Sequence, residues 1–201
     1  VYPKTVAQMK YAADRLSDPV VKEIILHHIA VAYVDNFGVK DISEMENIYH
    51  TYVRDTLLTS SFARKYERWD LSRPGKRSPG FRAPDVDGKV HTLADFRGKY
   101  VYIDMWATWC GPCKREMPYL KALEEEFKDA EIVFVGLSVD KDKTAWEKMV
   151  HQGELTGVQL YLGTGSRFQE GYRVEAIPRF ILLDKEGVII SNDMSRPSAK
   201  E

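Results

Sequence analysis

The chain has 201 residues, 44% hydrophobic and 29% charged, with a net charge of −1. That balance suits one large domain, or a medium domain with a helical attachment; it excludes wholesale disorder and any broad electrostatic pull toward nucleic acid or membrane. Only two cysteines are present, which excludes a disulfide-stapled scaffold and a four-cysteine zinc site.

Residues 1–71 read as helices alone. Val6, Met9, Ala13 and Leu16 keep helical spacing, and Pro19 suits the first turn of a second helix. That helix carries Val21, Ile24, Ile25, Ile29 and Ala32 and ends near Gly38. Its apolar run from Ile24 to Val34 is broken by His27 and His28, so it is too short and too polar to span a bilayer. Ser43-Glu-Met-Glu46 has capping-box form, with Met45, Ile48, Tyr49, Tyr52 and Val53 as one apolar face behind it. A fourth helix presents Phe62, Tyr66 and Trp69. The segment Arg73-Pro-Gly-Lys-Arg-Ser-Pro-Gly80 then reads as a solvated basic linker.

After the linker the pattern becomes mixed. Asp85 to Leu93 holds an Asp87-Gly88 turn between short strand candidates, a small hairpin. Lys99 to Trp106 reads as a strand and Gly111 to Lys128 as a helix containing Pro118, which is expected to kink it. Glu131 to Asp140 is a nearly continuous apolar run, the mark of a parallel strand buried on both faces. Lys143 to Gln152 reads as a helix, Val158 to Leu162 as a strand and Ser166 to Tyr172 as a short helix. Arg179 to Asp184 and Gly187 to Ser191 are two strands joined by a Lys185-Glu186 turn. Alternating strands and helices with a closing antiparallel pair predict a mixed sheet with helices on both faces.

Both cysteines fall at one strand-to-helix junction, in the box Cys110-Gly-Pro-Cys113. Cys110 sits where the helix begins, so unpaired backbone N–H groups and the positive end of the dipole favour a thiolate, the attacking species in disulfide exchange. Two intervening residues place Cys113 one turn along, close enough to close a small ring. Cys110 is therefore the expected exposed nucleophile and Cys113 the buried resolving thiol. A purely structural disulfide would staple almost no loop. The five histidines (His27, His28, His50, His91, His151) show no ligand spacing relative to the pair, so neither metal nor cofactor is expected.

From about Gly80 to Ser191 these residues resemble the thioredoxin fold and, within it, the TlpA/ResA-like thiol–disulfide oxidoreductases exported by bacteria. The matching stretches are Trp106 to Pro118, Gly136-Leu-Ser-Val-Asp140, Ala176-Ile-Pro178 and Phe180 to Gly187, the first of them highly specific. The implied architecture is α/β: a helical domain over 1–71, a linker over 72–80 and a thioredoxin-like domain over 81–201. The resemblance implies that Pro178 is a cis-proline facing the cysteines and that the Ile177 backbone pairs with an extended substrate segment. Asp104, six residues before Cys110 in an apolar strand, matches the buried acid that shuttles the resolving cysteine's proton. Glu116, on the same helical face as Cys113, matches the acid that TlpA/ResA-like proteins carry near the site. A coupled titration with at least one raised pKa is expected of the two. Trp109 is expected on the exposed rim beside Cys110.

Two departures stand out. Arg179 occupies the place after the cis-proline where Thr is common, and with Lys114 and Arg115 it would make the rim electropositive. The fold also expects a helix after its last strand, whereas Ser198-Ala-Lys-Glu201 has capping-box form and the chain stops there. The covering helix is thus expected to be missing, and a leader or membrane anchor would lie in a segment outside these residues.

The expected activity is reduction of protein disulfides in the periplasm or cell envelope, with protein thiol/disulfide substrates and an upstream electron donor as partners and no nucleic acid. A peroxiredoxin-like peroxidase shares the fold but expects a Thr three residues before its reactive cysteine, where this chain has Ala107. A non-catalytic partner-binding module would leave the intact box, its acids and Ile177-Pro178 unexplained.

Overall fold

The structure, a computed structural model, describes residues 1–39, 41–153 and 155–199. It divides into two compact units, Val1–Asp70 and Leu71–Glu201.

Among its described residues the first unit has four helices: α1 (Tyr2–Arg15), α2 (Pro19–Phe37), α3 (Ser43–Tyr52) and α4 (Thr56–Asp70). Its core gathers Met9, Leu26, Ala30, Val34, Met45, Tyr49 and Phe62, with the Tyr49 and Phe62 rings stacked at 4.2 Å. Asp18 caps α2, accepting from the N–H groups of Val20 and Val21, which satisfies donors that a helix start leaves unpaired.

Two expectations are corrected here. The buried stripe of α2 is Leu26–Ala30–Val34, whereas Val21, Ile24 and Ile25 are exposed, because the helix is apolar on several sides and spacing alone does not choose the inner one. The capping box at Ser43 is not made. Ile42, buried in the core, takes the cap position, and the Met45 N–H donates to the Tyr2 hydroxyl at 3.2 Å.

The second unit opens with a small antiparallel hairpin, β1 (Arg82–Pro84) and β2 (Val90–Thr92), turned at Asp85, whose Oδ1 accepts from the N–H groups of Asp87 and Lys89. The main sheet contains β3 (Tyr100–Trp106), β4 (Ile132–Ser138), β5 (Val158–Tyr161), β6 (Arg179–Leu183) and β7 (Ile189–Ser191), in the order β5-β4-β3-β6-β7. β3, β4 and β5 run parallel; β6 and β7 are antiparallel additions. The connections carry α5 (Gly111–Glu126), α6 (Lys143–His151) and α7 (Arg167–Gly171). This is the predicted mixed sheet, with β3 at its centre.

Strand geometry sends successive side chains of β3 to opposite faces. Val101, Ile103 and Met105 enter the larger core, while Tyr102 packs with Phe134 and Phe180 beneath Leu120 and Leu123 of α5. Asp104 lies on the Tyr102 face, in register with Gly136 of β4 and Phe180 of β6.

The basic segment 73–80 is no free linker. Gly75 N–H donates to the Ile189 carbonyl and Ile189 N–H to the Lys76 carbonyl, both at 2.8 Å, and Ser78 N–H donates to the Gly187 carbonyl at 2.9 Å. The segment lies along β7 because an edge strand offers unpaired backbone groups to any adjacent extended chain. The last two residues of the predicted box Ser198–Glu201 lie outside the described residues. Among the described residues no helix is long and apolar enough to cross a membrane.

Gly157, just before β5, tests the packing of this sheet. Its φ is +69°, and an added Cβ would lie 2.6 Å from the Phe134 carbonyl oxygen. Gly157→Ala is expected to destabilise the protein by about 1–3 kcal/mol in urea unfolding, from left-handed strain combined with a backbone clash.

Candidate active site

Strand β3 ends at Trp106, the chain turns through Ala107-Thr108-Trp109, and Cys110 is the N-cap of α5. Its sulfur accepts the Cys113 N–H at 3.1 Å, so the helix start is capped by the side chain expected to react. Pro112 lies in the first turn, where a missing N–H costs nothing. Cys110 and Cys113 form a disulfide, their Cα atoms 5.3 Å apart. Cys110 Sγ lies 3.8 Å from the Ile177 carbonyl oxygen, and the Ile177–Pro178 peptide bond is cis. The expectation of an exposed Cys110 needs correction: it is 4% exposed against 1% for Cys113, because the Ile177 backbone lies against its sulfur. Trp109, at 70%, is the exposed side chain beside it.

The turn that delivers Cys110 is held by residues to which sequence reasoning gave no role. The Asp140 carboxylate accepts from the Thr108 N–H at 2.9 and 3.1 Å, from the Thr108 hydroxyl at 2.7 Å and from the Ser138 hydroxyl at 2.8 Å. Asp140 and Ser138 are buried, so these charge-assisted bonds compensate the burial of a carboxylate. The available signal was Asp140 itself, a charged residue closing the apolar run of β4.

Both candidate acids are buried, and Glu116 lies three residues after Cys113 on α5. Glu116 is 4% exposed, and its two oxygens accept from the Ser198 hydroxyl at 2.8 Å and the Ser198 N–H at 3.0 Å. Asp104 lacks such support. Its Oδ1 has no hydrogen-bond partner among the described residues. Burial, and secondarily the charge of Glu116, push its pKa up to about 8. Ile177 lies against the Cys110 sulfur, Glu116 follows Cys113 on α5, and the Glu116 charge acts on Asp104, while Trp109 is exposed beside Cys110. Arg179 is only partly a rim cation: its guanidinium lies 3.3 Å from the Asp193 carboxylate. Among the described residues no group of three or more His, Cys, Asp and Glu side chains is placed to hold a metal ion.

Comparison with known proteins places these features in context. The family described as Redoxin matches residues 73–198. The thiol–disulfide oxidoreductase ResA of Bacillus thuringiensis subsp. konkukian is 32% identical over 133 residues, covering 66% of this chain and 75% of that protein. A Bacteroides vulgatus protein solved in solution, described as a candidate thiol–disulfide oxidoreductase, is 52% identical with a TM-score of 0.57, over 64% of this chain and 85% of that one. The thioredoxin domain of a thiol–disulfide oxidoreductase from Bacteroides vulgatus is 31% identical with a TM-score of 0.57, over 62% and 89% of the two chains.

The unsupported Asp104 carboxyl makes a stability prediction whose sign can be worked out. Its folded pKa, near 8, lies above its ordinary value of 3.8, so between those values the folded state binds a proton that the unfolded state has released. Stability then falls as pH rises from 4 to 8. Asp104→Asn removes that dependence. It is expected to raise the unfolding free energy by about 2–4 kcal/mol at pH 8, the gain disappearing toward pH 4 in denaturant titrations of the oxidised protein.

Proposed function

This chain belongs to the Redoxin family and is a thiol–disulfide oxidoreductase, and we propose that it reduces protein disulfides in the cell envelope through a mixed disulfide, with Cys110 attacking and Cys113 resolving. The observation that carries this reading is the disulfide at the start of α5, its Cys110 sulfur taking the Cys113 N–H and lying beside the Ile177 carbonyl.

In the reduced enzyme the same backbone donor and helix end favour the Cys110 thiolate over the thiol. The thiolate attacks one sulfur of a substrate disulfide; the substrate S–S bond breaks, and its other sulfur leaves as a thiolate that takes a proton from solvent. The Asp104 carboxylate then accepts the Cys113 proton. The Cys113 thiolate attacks Cys110 Sγ, the enzyme disulfide forms as the mixed disulfide bond breaks, and the second substrate sulfur leaves as a thiolate that takes a proton from solvent. Two electrons have passed to the substrate, and an upstream donor must return two to the pair.

Asp104 suits the proton step because burial makes its carboxylate basic near neutral pH, where a general base works best. Glu116 is read as its partner rather than its rival: both oxygens are occupied by Ser198, and its charge helps to raise Asp104. The Ile177 backbone, before the cis bond to Pro178, is read as the edge on which an extended substrate segment pairs, with Trp109 flanking it. The reducing direction is supported by the Gly111-Pro112 dipeptide, which resembles that of reducing thioredoxins. The envelope location is supported by the likeness to ResA.

Cys113→Ser removes the resolving step and should convert transient mixed disulfides into stable ones. Incubating the reduced variant with cell-envelope extract is expected to yield Cys110-linked adducts that dithiothreitol releases and mass spectrometry identifies. Absence of adducts, with Cys110 still reactive toward a small disulfide, would remove the reductase reading.

A further inference from the structure

The two most buried residues of α5 are Cys113 and Glu116, 1% and 4% exposed and three positions apart on one helical face. Met117 and Leu120, apolar neighbours on the same helix, are only partly buried. A carboxylate in so covered a place is costly unless donors replace the water it has lost. Among the described residues Glu116 has two donors, and both belong to Ser198. The Ser198 hydroxyl meets Oε1 at 2.8 Å and its backbone N–H meets Oε2 at 3.0 Å. One residue thus solvates both oxygens.

Ser198 is carried there by a segment that is itself tied down. After β7 the Met194 N–H donates to the Phe180 carbonyl at 2.9 Å, and the Met194 side chain packs against the cluster of Tyr102, Phe134 and Phe180. Arg179, the residue after the cis-proline, pairs with the Asp193 carboxylate at 3.3 Å and donates to the Asn192 carbonyl at 3.4 Å. A turn closed by the Ala199 N–H on the Arg196 carbonyl, at 2.8 Å, then offers both Ser198 donors to α5. The segment is therefore fixed to the residue after Pro178 at one end and to Glu116 at the other.

We propose that Ser198 is a positioning residue of the redox site, holding the Glu116 carboxylate in the place from which its charge acts on Asp104. The inference deepens the proposed function and rests on its reading of Glu116 as the partner of Asp104. The charge of Glu116 reaches both Tyr102 and Asp104 on β3. Without the Ser198 hydroxyl, Glu116 either takes up a proton or turns toward water. Both outcomes weaken its field at Asp104.

The other titratable or charged groups around this pair are Tyr102 on β3, Glu124 on α5, and Asp193 and Arg196 on the segment, Asp193 being paired with Arg179. Strands β4, β5 and β6 present Gly136, Gln159 and Phe180 beside Asp104 or in its pocket, none of them charged, and the cysteines do not titrate as a disulfide. Replacing Ser198 changes no charge itself, so an effect on Asp104 has to pass through Glu116.

The test is the titration of the Asp104 carboxyl carbon, followed by NMR in the oxidised full chain. Ser198→Ala is expected to move the midpoint down by about half a pH unit, through the weakened like charge nearby. Ser198→Thr, which keeps both donors, is expected to restore the parent midpoint. In a Glu116→Gln background, Ser198→Ala is expected to move nothing further. An unchanged midpoint in folded Ser198→Ala, or a full shift that persists beside Glu116→Gln, overturns the proposal. The titration needs no substrate, so it is independent of what Asp104 does in turnover. If mixed-disulfide resolution in Asp104→Asn is as fast as in the parent while Ser198→Ala still shifts the midpoint, the role of Ser198 stands and the proton-carrier reading falls.

Discussion

The contact on which the site depends is the hydrogen bond from the Cys113 N–H to the Cys110 sulfur. It makes a reactive atom double as the cap of a helix. An α-helix leaves its first N–H groups without internal partners, and most chains supply Ser, Thr, Asp or Asn to meet one of them. Here the acceptor is sulfur, and the preference of the helix end for negative charge acts directly on it. The surrounding structure serves to hold that cap in place. The central strand β3 aims the chain at the sheet's end, Asp140 fixes the turn through Thr108, and the Ile177 backbone bounds the sulfur from the opposite side.

Beneath the cap lies a graded set of carboxylates. Asp140 has four donor contacts and works as a fixed strut. Glu116 has two, both from Ser198. Asp104 has an oxygen with none. The same functional group therefore serves three ends according to how well it is solvated by protein donors. The least satisfied is the one whose proton affinity rises into the working range of thiol chemistry.

Much of this arrangement was legible in the sequence. The apolar run into Cys110, the Gly-Pro pair and the helix behind them located the junction; the run from Ile132 to Leu137 announced a strand buried on both faces; the closing antiparallel pair set the sheet class. What escaped the reading has a common physical origin. The inner face of α2 could not be chosen, because Ile24 and Ile25 are as apolar as Leu26. Ser43 had the right neighbours for a capping box, but burying Ile42 gained more. Thr108, Asp140 and Ser198 act through partners about 30 to 80 residues away. No local pattern marks a pairing that only the register of the sheet creates.

The segment from Gly75 to Ser78 has a further consequence for the molecule in a crowded solution. A sheet that ends in a three-residue strand such as β7 is a template on which an extended chain from another molecule can grow, the first step toward aggregation. Here the protein's own preceding residues already occupy that template through their bonds to Ile189 and Gly187. Two prolines and a pair of basic side chains within 74–79 make the outward side of the added segment a poor surface for the next strand. What composition presents as a tether is, in the fold, a guard on the growing edge of the sheet.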